Sequence, residues 1–78
     1  MDRIEFLEEN LKKKINALKF IEKNKNKVVK GRISLYIEGT VIHGDEIEIE
    51  EDLSFLYYNG KLISTVINED VSNIEFEE

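Results

Sequence analysis

The chain contains no cysteine, no proline and no tryptophan, and only one histidine. Without cysteine there is no disulfide, no thiolate metal site and no thiol nucleophile. A single histidine restricts any multi-histidine metal site to one shared between subunits. The four glycines, Gly31, Gly39, Gly44 and Gly60, stand singly, so no loop has the glycine density that cradles a phosphate. No apolar run approaches the roughly 18 residues of a membrane span. The first residues lack the pattern of a secretory signal. A cytosolic protein that does not enter a membrane is expected. The 78 residues make a single domain over 1–78, with no room for a second core. Domains this short sit near the limit of self-sufficient stability, which favours a homo-oligomer.

What is present is charge, unevenly placed. Residues 1–30 carry nine basic and five acidic side chains, a balance of +4. Residues 31–78 carry only Arg32 and Lys61 against twelve acids, a balance of −10. Such asymmetry bears on partners and solubility rather than on fold.

The spacing predicts a helix over about 3–24. Asp2 and Glu5 stand at capping-box separation, with Asp in the capping place. Acids gather in the first turns and lysines near the end, as the helix dipole favours. Ile4, Leu7, Leu11, Ile15, Leu18 and Ile21 fall within about 120° of arc at helical pitch. The series Ile4, Leu7, Leu11, Lys14, Leu18, Ile21 also has a/d heptad spacing with one lysine defect, short for a coiled coil. Phe6, Ala17 and Phe20 lie off the stripe and form a second, thinner apolar strip. The expectation is a helix that packs on its own sheet and offers Phe6 and Phe20 for self-association.

From Val28 the period changes to two. Ile33, Leu35 and Ile37 alternate with polar neighbours, and Glu38-Gly39 reads as a turn. Thr40–His43 reads as a short strand, with a second turn or bulge at His43-Gly44-Asp45. Glu46 to Glu50 alternates strictly, isoleucines inward and glutamates outward. Leu53–Tyr58 and Lys61–Ile67 flank Asn59-Gly60, the signature of a two-residue type I′ hairpin. Asn68–Ser72 reads as a turn or single 3₁₀ turn, and Ile74–Phe76 as a short closing strand. The β region thus spans about 28–76. The fold class is α+β: an N-terminal amphipathic helix and about five short antiparallel strands. Closing the strands into a small SH3-like or Sm-like barrel would remove the open edges. The alternative is an open antiparallel sheet with the helix packed on one face.

This order of elements resembles the Sm-like small barrels. The run from Val66 to Ile74 is similar in pattern to that family's second motif, an apolar pair before a polar turn and then spaced apolar residues. Asn68 and Glu69 stand where the family has a basic residue and a glycine. The resemblance implies a nucleic-acid binder, which is carried as one of three readings.

Candidate chemistry is sparse. His43, Asp45 and Glu46 lie within four residues but lack a marked fourth ligand, and Gly-Asp is ordinary turn chemistry. Four serines share one histidine with no nucleophile-elbow context. No catalytic, metal or cofactor residue is assigned. Direct nucleic-acid binding would fall to the segment 12–30, where Lys12, Lys13 and Lys14 point three ways around the helix and Lys19, Lys23, Lys27 and Lys30 line up only if the helix runs on to Lys30, and the acids elsewhere repel phosphate. The acidic row Glu46, Glu48, Glu50, with Glu51 and Asp52 beyond it, places carboxylates about 6.5–7 Å apart on one strand face. It reads as a solvated face or as a surface for a basic partner. An exposed Tyr58 beside Lys61 suits a contact point, because tyrosine is favoured at interfaces.

The expectation is therefore a non-enzymatic protein-interaction module, homo-oligomeric, needing no cofactor. It would contact a protein partner through Glu46, Glu48, Glu50, Glu51, Asp52 and Tyr58, as a phage- or mobile-element-type inhibitor of a nucleic-acid-handling host protein would. The second reading is a homo-oligomer binding a small molecule or nucleotide in interface pockets, lined for example by Lys23, Lys27 and Tyr58. The third is the Sm-like nucleic-acid binder.

Overall fold

The computed structural model describes residues 2–78. Helix α1 spans Arg3–Lys23. Asp2 caps it, its carboxylate accepting from the Glu5 N–H at 2.9 Å. This satisfies one of the donors that a helix start leaves free. Asn24 closes the other end, its side-chain amide donating to the Phe20 carbonyl at 2.9 Å. Five strands follow: β1 Lys27–Ile37, β2 Thr40–Ile49, β3 Leu53–Tyr58, β4 Lys61–Ile67 and β5 Val71–Glu77. A single 3₁₀ turn, Asn68–Asp70, joins β4 to β5.

The strands form one open antiparallel sheet in the order β4-β3-β2-β1-β5. The expected barrel is not closed. β4 and β5 occupy opposite edges of the sheet, and β5 pairs instead with β1, Leu35 opposite Ile74. The 3₁₀ turn carries the chain from one edge to the other, and α1 lies on β5 and on that turn. A helix over an edge strand limits access to it without closing the ladder. The architecture is the alternative, a helix packed on an open sheet.

The Asn59-Gly60 hairpin forms as its sequence dictates, and the turn expected at Glu38-Gly39 is of the same kind. Glu38-Gly39 and Asn59-Gly60 each place two successive residues at positive φ, as type I′ turns require. Three local expectations change. β1 begins at Lys27 and passes through a register shift around Gly31. β5 is seven residues long, not three. β2 runs unbroken through Gly44, which is a strand position opposite Ile33 rather than a turn. A Cβ at Gly44 would come within 2.6 Å of the Leu56 side chain and 2.7 Å of the Tyr57 carbonyl. The glycine is there for close approach of β3, not for a turn.

The core consists of Ala17, Ile21, Ile33, Leu35, Ile47, Ile49, Leu56, Val66 and Val71, with Phe20, Val29, Ile37, Ile42 and Ile74 packed around it. The strand alternation is as the period-two reading requires. The helix reverses the expectation. Its packed face is the thin strip, centred on fully buried Ala17, and Phe20 rests on Phe76 with ring centroids 5.6 Å apart. Of the broad apolar stripe only Ile21 is buried.

Gly44→Ala is expected to destabilise the fold by about 1–3 kcal/mol, because the added methyl meets backbone as well as side chain. Gly39→Ala meets nothing within 4 Å, and its cost is limited to φ strain of order 1 kcal/mol. Urea denaturation of the two variants checks the ordering.

Candidate functional site

The helix turns its leucine stripe away from the sheet. Ile4, Leu7, Leu11, Ile15 and Leu18 are 41–68% exposed. The stripe is centred about 120° around the helix from the Ala17 face, at helical pitch. Every residue from Asp2 to Lys13 is exposed, so the first half of α1 makes no packed face at all. Its second half is fixed to the sheet. Lys14, the defect in the heptad pattern, donates from Nζ to the carbonyls of Glu69 and Val71, the latter at 2.8 Å. The ammonium thus serves carbonyls of the 3₁₀ turn and the start of β5, which is why a lysine interrupts the stripe.

At its docked end the stripe runs into a groove of about 660 Å³. Ile15, Leu18, Ile21 and Ile67 give it an apolar lining, while Lys19, Glu22, Lys25, Glu51, Asp52 and Glu69 add charge. Lys25 and Glu22 form an ion pair at 3.0 Å. That bond raises the Lys25 pKa above its ordinary 10.5; burial opposes the rise, and the nearby charges of Glu22, Glu51 and Asp52 add to it.

Asn68 builds the far wall. It is 6% exposed. Its side chain accepts from Ser54 Oγ at 2.6 Å and donates to the carbonyls of Glu50 at 3.0 Å and Glu51 at 3.3 Å. Its own N–H donates to the Asp52 carbonyl at 2.8 Å. One amide therefore ties the β2–β3 turn to the end of β4 and holds Glu51 and Asp52 beside the groove. The sequence reading assigned Asn68 only to a polar turn. Nothing in its local spacing reveals that the side chain is turned inward.

The acidic run is divided: Glu48 and Glu50 border one shallow hollow with Lys27, whereas Glu51 and Asp52 line the groove. Glu46 and Glu48 sit on the outer sheet face, opposite Tyr57 and Phe55 in register, and are half-buried. Lys30 Nζ lies 3.9 Å from Glu46. Glu50, Glu51 and Asp52 are exposed in the β2–β3 turn, where Glu51 and Asp52 line the groove. The five carboxylates are divided because the strand ends at Ile49 and the chain reverses, the Glu50 N–H donating to the Leu53 carbonyl. Tyr58 is 53% exposed at the β3–β4 hairpin, opposite Lys61 and next to Tyr57, the register partner of Glu46, but remote from the β2–β3 turn. Phe6 is exposed, but Phe20 is taken up against Phe76 within the chain. Lys27 pairs with Ile49 at the end of β2 remote from that hairpin, so Lys23, Lys27 and Tyr58 do not converge within one chain.

No three metal-ligating side chains converge among the described residues. His43 bonds through Nδ1 to Ser34 Oγ at 2.9 Å. On the outer face Tyr36 donates to the Glu75 carboxylate, which raises the Tyr36 pKa above its ordinary 10. Among the described residues no helix is long and apolar enough to cross a membrane. Comparison of the chain with protein-family models, curated proteins and solved structures finds no match.

Asn68→Ala removes the partner of buried Ser54 and frees two turn carbonyls. A loss of about 1–3 kcal/mol is expected. Hydrogen exchange should show faster opening of the 50–53 turn than of the β1–β2 ladder, and uniform acceleration would contradict the local role.

Proposed function

We propose that this chain is a non-catalytic protein-interaction module whose contact surface is the outward stripe of α1 together with the groove at its docked end. The single observation behind this is the exposure of Ile4, Leu7, Leu11, Ile15 and Leu18 along one line of a helix already held by its other face. A large apolar patch rimmed by charge is the usual mark of a binding surface. The shape of the stripe calls for an amphipathic helix as partner.

Charge sets the direction. The first turns of α1 carry Asp2, Glu5, Glu8 and Glu9 against Arg3, and its later part carries Lys12, Lys13, Lys14, Lys19 and Lys23 against Glu22. A partner helix with an acidic first half and a basic second half lies antiparallel to it with opposite charges facing, and parallel with like charges facing. The finer reading, an inhibitor of a nucleic-acid-handling protein, calls for one acidic surface. The carboxylates are divided between two places, so the proposal is the coarser one.

The test is a titration of isotope-labelled protein with a synthetic amphipathic helix of about 21 residues, acidic in its first half and basic in its second. Chemical-shift changes are expected along Ile4–Leu18 and at Ile67. Changes confined to the outer sheet face, or none at millimolar peptide, would reject the reading.

A further inference from the structure

The partner that the surface calls for has the description of α1 itself. Building on the protein-binding reading, we infer that the stripe is covered by α1 of a second copy of this chain, packed antiparallel about a two-fold axis at Leu11.

Three independent features meet in this arrangement. The first is spacing. The stripe residues 4, 7, 11, 15 and 18 are separated by three, four, four and three positions, a pattern that reads the same from either end. An antiparallel pair centred on Leu11 places Ile4 against Leu18 of the second copy, Leu7 against Ile15, and Leu11 against Leu11. A two-fold contact has to be self-complementary in this way.

The second is charge. Glu5, Glu8, Lys12 and Lys19 fall along one flank of the stripe at helical pitch. In the antiparallel pair Glu8 comes beside Lys12 of the second copy and Glu5 beside Lys19. A parallel pair sets this flank against the opposite flank of the second copy, so these Glu–Lys pairings are lost.

The third is surface. A compact monomer of 9.2 kDa exposes about 4,900 Å² by size scaling. This chain exposes 5690 Å² and extends 42 Å along one axis against 22 and 21 Å along the others. The excess, roughly 800 Å², is what one partner of a standard interface buries. The undocked half of α1 is also too short to be helical in water on its own account. The antiparallel pair lays that half of each copy along the docked half of the other and brings Ile4 to the groove lined by Leu18 and Ile67.

Sedimentation equilibrium of the full chain tests this, and the absence of native cysteine permits unambiguous cross-linking. A dimer is expected at tens of micromolar. Leu11→Asp should weaken it at least about 30-fold, as for loss of a central hot spot, with the circular dichroism of the sheet unchanged. Oxidised Leu11→Cys should form a covalent dimer. Leu7→Cys alone should not, whereas a mixture of Leu7→Cys and Ile15→Cys should cross-link. Self-cross-linking of Leu7→Cys, or an association that Leu11→Asp leaves intact, overturns the antiparallel pair. A folded monomer at 0.5 mM (on the order of a 3 kcal/mol weaker association than a 5 μM dimer) overturns self-association. If that monomer still binds the synthetic helix, the protein-binding reading survives, and if it does not, both fall.

Discussion

Everything on the helix side of this molecule depends on one close contact, Ala17 against the sheet. A residue with no side chain beyond Cβ lets the helix axis approach closely. The neighbours that fit such an approach are those one turn away on the same face, Phe20, Ile21 and Lys14. Phe20 finds Phe76, and Lys14 finds the carbonyls of Glu69 and Val71. Once that face is used, the Ile and Leu stripe has to point elsewhere. The direction of the exposed surface is therefore fixed by an alanine and a lysine, not by the leucines that compose it.

This explains which parts of the fold were legible. A strand advertises its inward face by alternation, and Ile33, Leu35, Ile47 and Ile49 are buried as the pattern reads. Asn59-Gly60 advertises its turn because few residue pairs tolerate two successive positive φ values. The helix misleads because periodicity measures how much apolar surface a face carries, not what covers it. A stripe meant for another molecule and a stripe meant for the core have the same moment. The lysine at position 14 was the available warning, since a core stripe rarely accepts an ammonium without partners. Gly44 and Asn68 were illegible for a different reason. Each serves a neighbour distant in sequence, Leu56 for one and the 50–53 turn for the other, and no local spacing encodes that.

The acidic half of the chain has a comparable lesson. Five carboxylates within seven residues look like one charged surface when written on a line. A strand end lies within the run, so Glu46 and Glu48 stay with the sheet beside Tyr57 and Phe55, Glu50 lies next to Glu48, and Glu51 and Asp52 turn toward the groove. There Glu51 and Asp52 lie near Lys25, just past the basic end of the helix. This is favourable electrostatics within the chain, and it leaves less charge free for a basic partner than the sequence count suggests. Because these groups are exposed, the effect is screened by salt and contributes modestly to stability.

The remaining tension is between the size of the domain and the surface it shows. A chain of 78 residues has little apolar burial to set against the entropy of ordering it. Yet five large aliphatic side chains on one helix stay in water, and half of that helix has nothing behind it. Taken as a monomer, this is a helix formed without the packing that normally sustains helices. Taken as one half of a pair, the stripe ceases to be surplus: the docked half of each α1 becomes the template for the undocked half of the other. Folding and association are then coupled, and apparent stability rises with protein concentration by mass action. The sheet supplies the rigid body, the Ala17 contact sets the direction of the helix, and the leucines, freed from the core, carry the recognition.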